Sequence, residues 1–329
     1  MTKTLHIPAR GRSLLLRAKG YFFALLGASA FGFIPLFSIP ILQDGMNTSS
    51  LVIYRMFFSA VLVGIMLLAR RQSARVSLRQ AGALAGLAFF YTLSSLFLLE
   101  SYLYIPSGVA TTIHFLYPVF VTLASVALFH QQKLTPGLLL PSLLSLAGVA
   151  LLSAGTLGNL LDGSLDHRKA LTGIGLVLIT VVGYGGYLLF YGRPLIQRLD
   201  SMISTFYVLI FTALFCTAAL LLRGESELQP VPGWHAALNL FLLCLVPTLC
   251  ANLLVVVAIR HVGSTATSVL GCMEPLTAVI LGLAFLGERL QALQYVGIVV
   301  ILVAVAWVIL SRNQTGNSPR PAAPERKTT

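Results

Sequence analysis

Charged residues are scarce in this 329-residue chain: Asp, Glu, Lys and Arg together make up 10% of it, and hydrophobic residues make up 57%. A typical soluble domain carries about 25% charged residues. So few charges cannot cover the apolar surface of a chain of this length in water. The composition therefore excludes a soluble globular protein and predicts that lipid surrounds most of the chain.

Cysteines are also few, and their spacing carries no metal or redox pattern. The four lie inside apolar runs without forming a CxxC pair: Cys216, Cys244, Cys250 and Cys272. We interpret them as small hydrophobic residues of the interior. No metal site and no cofactor is expected.

Catalytic and nucleotide-binding motifs are absent as well. The chain has no Walker motif and no glycine-rich phosphate loop, which argues against ATP drive within it. The alternative function is a membrane-embedded enzyme. It has little support, because the chain contains neither HExxH nor GxSxG. Pore carbonyl motifs and rings of charge, expected of a channel, are also missing. The formal net charge of +12 does not predict nucleic-acid binding, because the basic residues cluster between long apolar runs.

Apolar runs of about 20 residues, the length that crosses a bilayer as a helix, recur ten times along the chain. We predict spans at 21–42, 51–69, 81–102, 107–129, 135–154, 171–192, 202–222, 236–258, 264–286 and 291–310. The first run follows a basic segment and contains Ala28-Ser29-Ala30, which resembles a signal-peptide cleavage site. Because the run continues to Leu42, we interpret it as an uncleaved first helix.

The distribution of basic residues predicts the orientation. With both termini in the cytoplasm, the inner segments hold 17 Lys and Arg residues and the outer loops hold four. Such a bias is what the positive-inside rule produces. We therefore expect a multi-pass protein of the cytoplasmic (inner) membrane with both termini cytoplasmic.

The two halves of the chain are weakly similar. A shift of 153 residues aligns AFGF (30–33) with GYGG (183–186), and a shift of 157 aligns SGVATTIHFLYP (107–118) with STATSVLGCMEP (264–275). Each fourth span thus opens with small residues and has a proline inside it, Pro118 or Pro275. Because five spans per half is an odd number, the second half must be inverted in the membrane relative to the first. The predicted fold is an all-α membrane protein of ten transmembrane helices in two inverted five-helix repeats.

Several stretches resemble the drug/metabolite transporter superfamily, EamA type. They are YLYIPSGVATTIHFLYP (102–118), AGVALL (147–152) and EPLTAVILGLAFLGERL (274–290), together with Arg55 in span 2. In the first half HQQKL (130–134) stands where the second has LGERL (286–290), so one acidic position is missing. The resemblance implies export or uptake of small metabolites, with a first EamA-like repeat at 20–154 and a second at 171–311. The polar segment 155–170 between them is predicted to be an extracytoplasmic linker. A basic cytoplasmic tail (1–19) and a polar, disordered cytoplasmic tail (312–329) are predicted at the ends.

Ionisable and amide side chains inside spans are the candidate functional residues, because each costs roughly 2.5–3.5 kcal/mol at membrane depth unless it faces a cavity or a partner. His114 lies in span 4 and Glu274 in span 9, and we expect both to line a central cavity that serves the substrate or proton coupling. Arg55 suits a substrate carboxylate or a structural ion pair with Glu274. Asn252 in span 8 suits either the cavity lining or a bond between helices.

Aromatic residues and prolines complete the set. Tyr117, Tyr91 and Tyr184 lie inside spans, where an interfacial belt does not explain them, so they are candidates for the cavity wall. Pro118 and Pro275 are predicted to kink spans 4 and 9 and to free backbone groups for solute or water.

The prediction is a secondary transporter that moves an amino acid-like, drug-like or similar small organic solute by alternating access, with export favoured over uptake. Proton coupling through His114 or Glu274 is a hypothesis. The expected partners are the solute, the lipid bilayer and protons. The substrate, the direction of transport, the coupling ion and the oligomeric state remain open at this point.

Overall fold

The structure is a computed structural model, which describes residues 9–105, 107–128, 136–152, 167–222, 228–285 and 292–314. HQQKL, LGERL, most of the predicted linker and the far ends of both predicted tails lie outside these ranges. Apart from one short helix at Pro194–Gln197, the helices in the described ranges lie in long apolar runs with few polar positions.

The first half contains five spans. Span 1 consists of Ala9–Phe31 and Ile34–Gln43, span 2 of Thr48–Ala69 and span 3 of Leu78–Ser101. Span 4 consists of Ser107–His114 and Tyr117–Ala127, and span 5 is Pro136–Leu152. Side-chain caps begin spans 2 and 3, where Asn47 accepts from the Ser50 amide and Ser77 forms a capping box with Gln80.

The second half repeats this plan. Span 6 is His167–Tyr191, a short helix covers Pro194–Gln197, and span 7 is Ser201–Leu222. Span 8 consists of Gly233–Leu243, a π-helical turn at Cys244–Cys250, and Ala251–Val262. Span 9 consists of Ser264–Leu270 and Met273–Phe285, and span 10 is Ala292–Gln314.

Within the described ranges, nine helical stretches are long and apolar enough to cross a membrane, and Leu139–Leu152 supplies a shorter tenth. Large apolar side chains cover the outer surface, as Leu68 and Leu222 do with 78% and 89% of their surface exposed. In water such a surface would be unfavourable, whereas in lipid it is the expected one. The predicted all-α membrane fold is confirmed.

Spans 4 and 9 are both interrupted close to the prolines that were predicted to kink them. Span 4 is interrupted at Phe115–Leu116 and span 9 at Gly271–Cys272. Pro118 and Pro275 lie in the first turn of the second helix of each span, where a missing amide hydrogen costs little. The structure therefore has a helix break just before each proline rather than a kink in a continuous helix.

The packing of spans is unchanged when the halves are exchanged. Span 3 packs on span 6, and span 1 packs on span 8. These two contacts are equivalent, because span 3 of the first half corresponds to span 8 of the second, and span 6 corresponds to span 1. Spans 2 and 7 pack on each other, and so do spans 5 and 10. Contacts of this kind place the two halves about a pseudo-two-fold axis, and the odd number of spans makes the relation an inversion.

Two close contacts at glycines, one in each half, follow the same symmetry. A Cβ on Gly32 in span 1 would lie 2.7 Å from Thr277 Cβ in span 9, and one on Gly185 in span 6 would lie 2.4 Å from Phe120 Cδ1 in span 4. Gly32 and Gly185 correspond under the 153-residue shift, and Phe120 and Thr277 under the 157-residue shift. Span 1 approaches the break of span 9 as span 6 approaches that of span 4.

Candidate functional site

A cavity lies between the two halves, beside the breaks in spans 4 and 9. Its walls come from spans 1, 2, 3, 4, 6 and 9 and from the residue after span 3, and are formed by Phe31, Ile34, Arg55, Tyr91, Ser94, Ser95, Leu98, Leu99, Tyr102, His114, Tyr184 and Glu274. Five of the seven residues predicted for the cavity or coupling therefore lie on one wall surface. Tyr117 and Asn252 lie behind it.

Glu274 is positioned by the break in span 9. Its backbone amide donates to the Gly271 carbonyl at 2.9 Å, which closes the turn that connects the two helices. The side chain is in the first turn of Met273–Phe285, where the positive end of the helix dipole favours a carboxylate. Among the described residues no side-chain hydrogen bond reaches this carboxylate, so it is presented to the cavity.

Arg55 faces the same cavity from span 2. Its side chain is 3% exposed, and its Nε donates to Thr248 Oγ1 in span 8 at 2.6 Å. Its positive charge attracts the Glu274 carboxylate electrostatically, yet no direct ion pair joins the two in the described part of the chain. The cavity thus holds a cationic and an anionic group that are not in contact with each other.

His114 is held by span 6. Its Nδ1 lies 2.7 Å from Thr180 Oγ1, and that hydroxyl donates to the Val177 carbonyl at 2.6 Å. Because a hydroxyl has one hydrogen, Nδ1 of His114 must be the donor to Thr180. The neutral imidazole is therefore the Nδ1–H tautomer, in which Nε2 carries a lone pair that can accept a proton or a hydrogen bond.

Tyr117 fills the space between the two breaks. Its ring is 5.2 Å from His114 and 4.8 Å from Tyr184, centroid to centroid. A Cβ built on Gly271 would lie 1.7 Å from the Tyr117 hydroxyl oxygen. Glycine at position 271 is therefore what allows the tyrosine of one half to reach the break of the other.

Asn252 supports the cavity wall from behind. Its Nδ2 donates to the Tyr91 hydroxyl at 2.9 Å and to the Thr248 carbonyl at 2.6 Å, and its Oδ1 is 3.5 Å from the Tyr187 hydroxyl. The amide thereby joins span 8 to spans 3 and 6. Asn252 acts in the structure as a bond between helices, the second of the two interpretations that the sequence allowed.

The cavity lies toward one membrane face. Span 4 starts at Ser107 and span 9 at Ser264 on opposite sides, and we name the two sides the Ser107 face and the Ser264 face. On the Ser264 side, Tyr184, Tyr187 and Tyr191 form a buried column with centroid separations of 6.0 and 5.6 Å. The column runs from the cavity wall at Tyr184 to the last residue of span 6, Tyr191.

Sequence reasoning missed some of the groups that hold the site. Thr180 and Thr248 are single hydroxyls inside apolar helices, and nothing in the local pattern separates them from hydroxyls that bond only to their own helix. One signal was present for Thr248, which directly follows Pro247, because a proline inside a span frees a carbonyl that needs a donor. Tyr102 follows the end of span 3 and lines the cavity as well.

Comparison with known families gives the same architecture. Residues 18–154 and 171–310 each match the EamA-like transporter family. The chain belongs to the EamA-like transporter family. The family resemblance predicted from the sequence motifs is confirmed, and this EamA-like chain is a multi-pass membrane protein of a transporter family rather than an enzyme.

The chain is also similar to a protein named as a transporter and, in fold, to a solved structure. An uncharacterized transporter of Synechocystis sp. is 27% identical over 223 residues, which cover 67% of this chain and 64% of that relative. The chain therefore aligns with less than two thirds of the relative's length. A protein crystal structure is similar with a TM-score of 0.73 and 17% identity, covering 91% of this EamA-like chain and 99% of the other. At that identity the likeness concerns the fold.

Proposed function

We propose that this EamA-like protein is a secondary transporter that moves a small organic solute by alternating access of the central cavity. The observation that carries the proposal is that two charged groups, Arg55 and Glu274, line one cavity between the two halves and form no ion pair with each other in the described part of the chain. An ionisable group at membrane depth is costly, so two of them facing a shared space support a solute site.

The breaks in spans 4 and 9 support the same function. Discontinuous helices near the midplane are typical of solute and ion sites in secondary transporters with repeated halves. Glu274 lies at the start of such a half-helix and is the best placed group to carry a proton or bind a cationic part of the solute. His114 is the second candidate for proton coupling, because its Nε2 is available as an acceptor.

Closure at one face supports the alternation. We infer that the buried tyrosine column blocks the Ser264 side, because it extends from the cavity wall at Tyr184 to the end of span 6 at Tyr191. An exchange of roles between the halves would open the Ser264 face and close the Ser107 face. We propose that the Ser264 face is cytoplasmic, that both termini are cytoplasmic in the inner membrane, and that the protein exports a metabolite of amino acid-like, drug-like or similar character.

Metabolite exchange tests the transport proposal. Cells with and without the gene are compared by untargeted mass spectrometry of medium and cytosol, with E274Q as the matched variant. We expect a small set of solutes to change between cells with the wild-type protein and cells without it, and to return toward the level without the gene when E274Q is supplied. Identical profiles in the three strains under several growth conditions would contradict a transport role.

Cysteine labelling tests the orientation. A variant without the four native cysteines receives S164C in the predicted linker or S318C in the C-terminal tail. An impermeant maleimide should label S164C in intact cells and S318C only after permeabilisation. The reverse pattern would mean that the orientation is opposite.

A further inference from the structure

The π-helical turn of span 8 is the feature from which this inference starts. It covers Cys244–Cys250 and contains Pro247, which has no amide hydrogen to donate to the carbonyl four residues earlier, that of Leu243. The Thr248 hydroxyl takes over that acceptor at 2.7 Å. A π-helical turn of this kind is frequent at functional sites.

The orientation of Arg55 follows from the hydrogen bond that the Thr248 hydroxyl donates in place of the missing Pro247 amide. The one hydrogen of the Thr248 hydroxyl is used on Leu243, so its oxygen can only accept, and it accepts from Nε of Arg55 at 2.6 Å. The guanidinium is thereby tied to span 8 through its inner nitrogen. A second contact fixes the same helix pair, because the Ser59 hydroxyl donates to the Cys244 carbonyl at 3.0 Å.

The terminal nitrogens of Arg55 remain available. The side chain is 97% buried, lines the cavity, and in the described part of the chain forms no hydrogen bond through Nη1 or Nη2. Leaving such donors unpaired in a low-dielectric site is costly. Their planar arrangement matches the two oxygens of a carboxylate.

We propose that Thr248 is a positioning residue that turns the terminal nitrogens of Arg55 into the cavity, where they bind a carboxylate group of the solute. The inference rests on the proposed function, because it assumes that the cavity is the solute site. The inference adds to the proposed function a binding group for a carboxylate, Arg55, and a residue that orients this group, Thr248. We call the Arg55 guanidinium the carboxylate receptor.

The groups around this receptor restrict the ligand further. Glu274 faces the same cavity and repels a second carboxylate, so a solute bound at Arg55 must present a cationic or hydrogen-bond-donating part toward Glu274. The other wall residues include the serines Ser94 and Ser95 and aromatic rings, which suit neutral parts of the solute. The rival arrangement is a direct Arg55–Glu274 ion pair, in which Arg55 would have no carboxylate to receive.

Ligand-induced stabilisation tests the proposal. Full-length protein in lipid nanodiscs is unfolded thermally with acetate, propionate or benzoate, each against its amide at equal ionic strength. Five proteins are compared: wild type, T248S, T248V, R55Q and, as a matched control, T217V. The Thr217 hydroxyl donates to the Ala213 carbonyl of its own helix at 2.8 Å and is distant in sequence from Arg55.

We expect at least one carboxylate, and not its amide, to raise the unfolding temperature of wild type, T248S and T217V. T248V and R55Q should need at least about tenfold more of it, the effect of losing one hydrogen bond to a charged group. Equal stabilisation of T248V and wild type would overturn the role of Thr248. No carboxylate effect on wild type, or an equal effect of the amides, would overturn the receptor itself.

A second measurement applies if T248V does not fold. The ¹⁵Nε–¹H signal of Arg55, assigned with R55K, is followed in wild type and T248S during addition of benzoate. We expect a slowly exchanging signal that shifts as benzoate binds, and an unmoved signal would overturn the proposal. If transport is observed without carboxylate binding, this inference alone fails. If carboxylates bind but no solute is transported, the proposed function fails instead.

Discussion

Spans 4 and 9 share a backbone plan and differ in chemistry. Each begins with a helix of seven or eight residues, is interrupted for two residues, and continues as a helix with a proline in its first turn. Under the 157-residue shift, His114 corresponds to Gly271 and Tyr117 to Glu274. One half therefore supplies bulk and an imidazole, and the other supplies space and a carboxylate.

The side chains at the two breaks complement each other across the pseudo-two-fold axis. Tyr117 occupies the volume that the absent side chain of Gly271 leaves, and Glu274 is directed to the cavity rather than to the partner span. A fully symmetric pair would place two tyrosines or two carboxylates at the axis, where they would collide or repel. The repeat thus preserves the breaks, and divergence of side chains at the breaks makes a single asymmetric site.

The largest effect is expected from neutralising the acidic member of this pair. E274Q removes the charge and keeps the shape, so transport should fall by at least about tenfold while the variant still folds and unfolds in a cooperative thermal transition. Transport assays of solutes found by metabolite profiling would measure it. E100Q is the matched control, because the Glu100 carboxylate accepts a hydrogen bond from Thr48 and is not among the residues that line the cavity. Equal transport by E274Q and wild type would show that the charge difference between spans 4 and 9 has no role.

Filling the space in span 9 should have the next largest effect. G271A places a methyl group against the Tyr117 hydroxyl and against the Ser268 carbonyl at 2.9 Å, so we expect a loss of about 1–3 kcal/mol in stability from overpacking. Thermal unfolding would measure it, with G82A as control because a Cβ there meets nothing within 4 Å.

Removing the phenolic oxygen should partly restore what G271A loses. The double variant G271A/Y117F takes away the closest of the three contacts, and its unfolding temperature should lie between those of G271A and wild type. If G271A unfolds like G82A, the complementarity of the two breaks is not real.

A smaller effect is expected where span 1 approaches the break of span 9 and span 6 approaches the break of span 4. A methyl group on Gly32 would lie 2.6 Å from the Glu274 carbonyl, whereas one on Gly185 would meet the Phe120 ring. A ring can rotate but a backbone carbonyl at the break cannot, so G32A should reduce stability and transport more than G185A does. The comparison uses thermal unfolding and transport, with G86A as control, and the opposite ranking would contradict the argument.

The smallest effect is expected at the imidazole. T180V removes the acceptor of the His114 Nδ1 hydrogen and should cost about 1 kcal/mol, while T180S should be close to wild type. A double-mutant cycle with H114Q should show that the two losses are not additive, because they remove the same bond. Full additivity would mean that the bond contributes nothing.

Much of the fold was predictable because lipid imposes a length on apolar helices. Ten runs of about 20 residues, the proline in each fourth span and the odd number of spans per half led to inverted repeats. The ionisable residues Arg55, His114 and Glu274 could be chosen as site candidates because polar groups at membrane depth need a reason. The packing of the spans agrees with those expectations.

The direction in which a side chain faces was harder to predict than the span that contains it. A span is apolar toward lipid and largely apolar toward its neighbours, so periodicity does not tell which side of a helix meets the cavity. Tyr91 and Tyr117 therefore received the same prediction, although Tyr91 lines the cavity and Tyr117 lies behind it. Asn252 was undecided for the same reason.

The sequence by itself determined that this chain crosses a membrane about ten times, that its halves repeat, and which few ionisable groups enter the bilayer, because composition and run length control transfer into lipid. Only the tertiary structure decided what those groups meet. Thr248 holds Arg55 from 193 residues away, and Gly271 receives Tyr117 from the other half. Contacts of this kind depend on how helices approach across the pseudo-two-fold axis, which no local pattern of residues encodes.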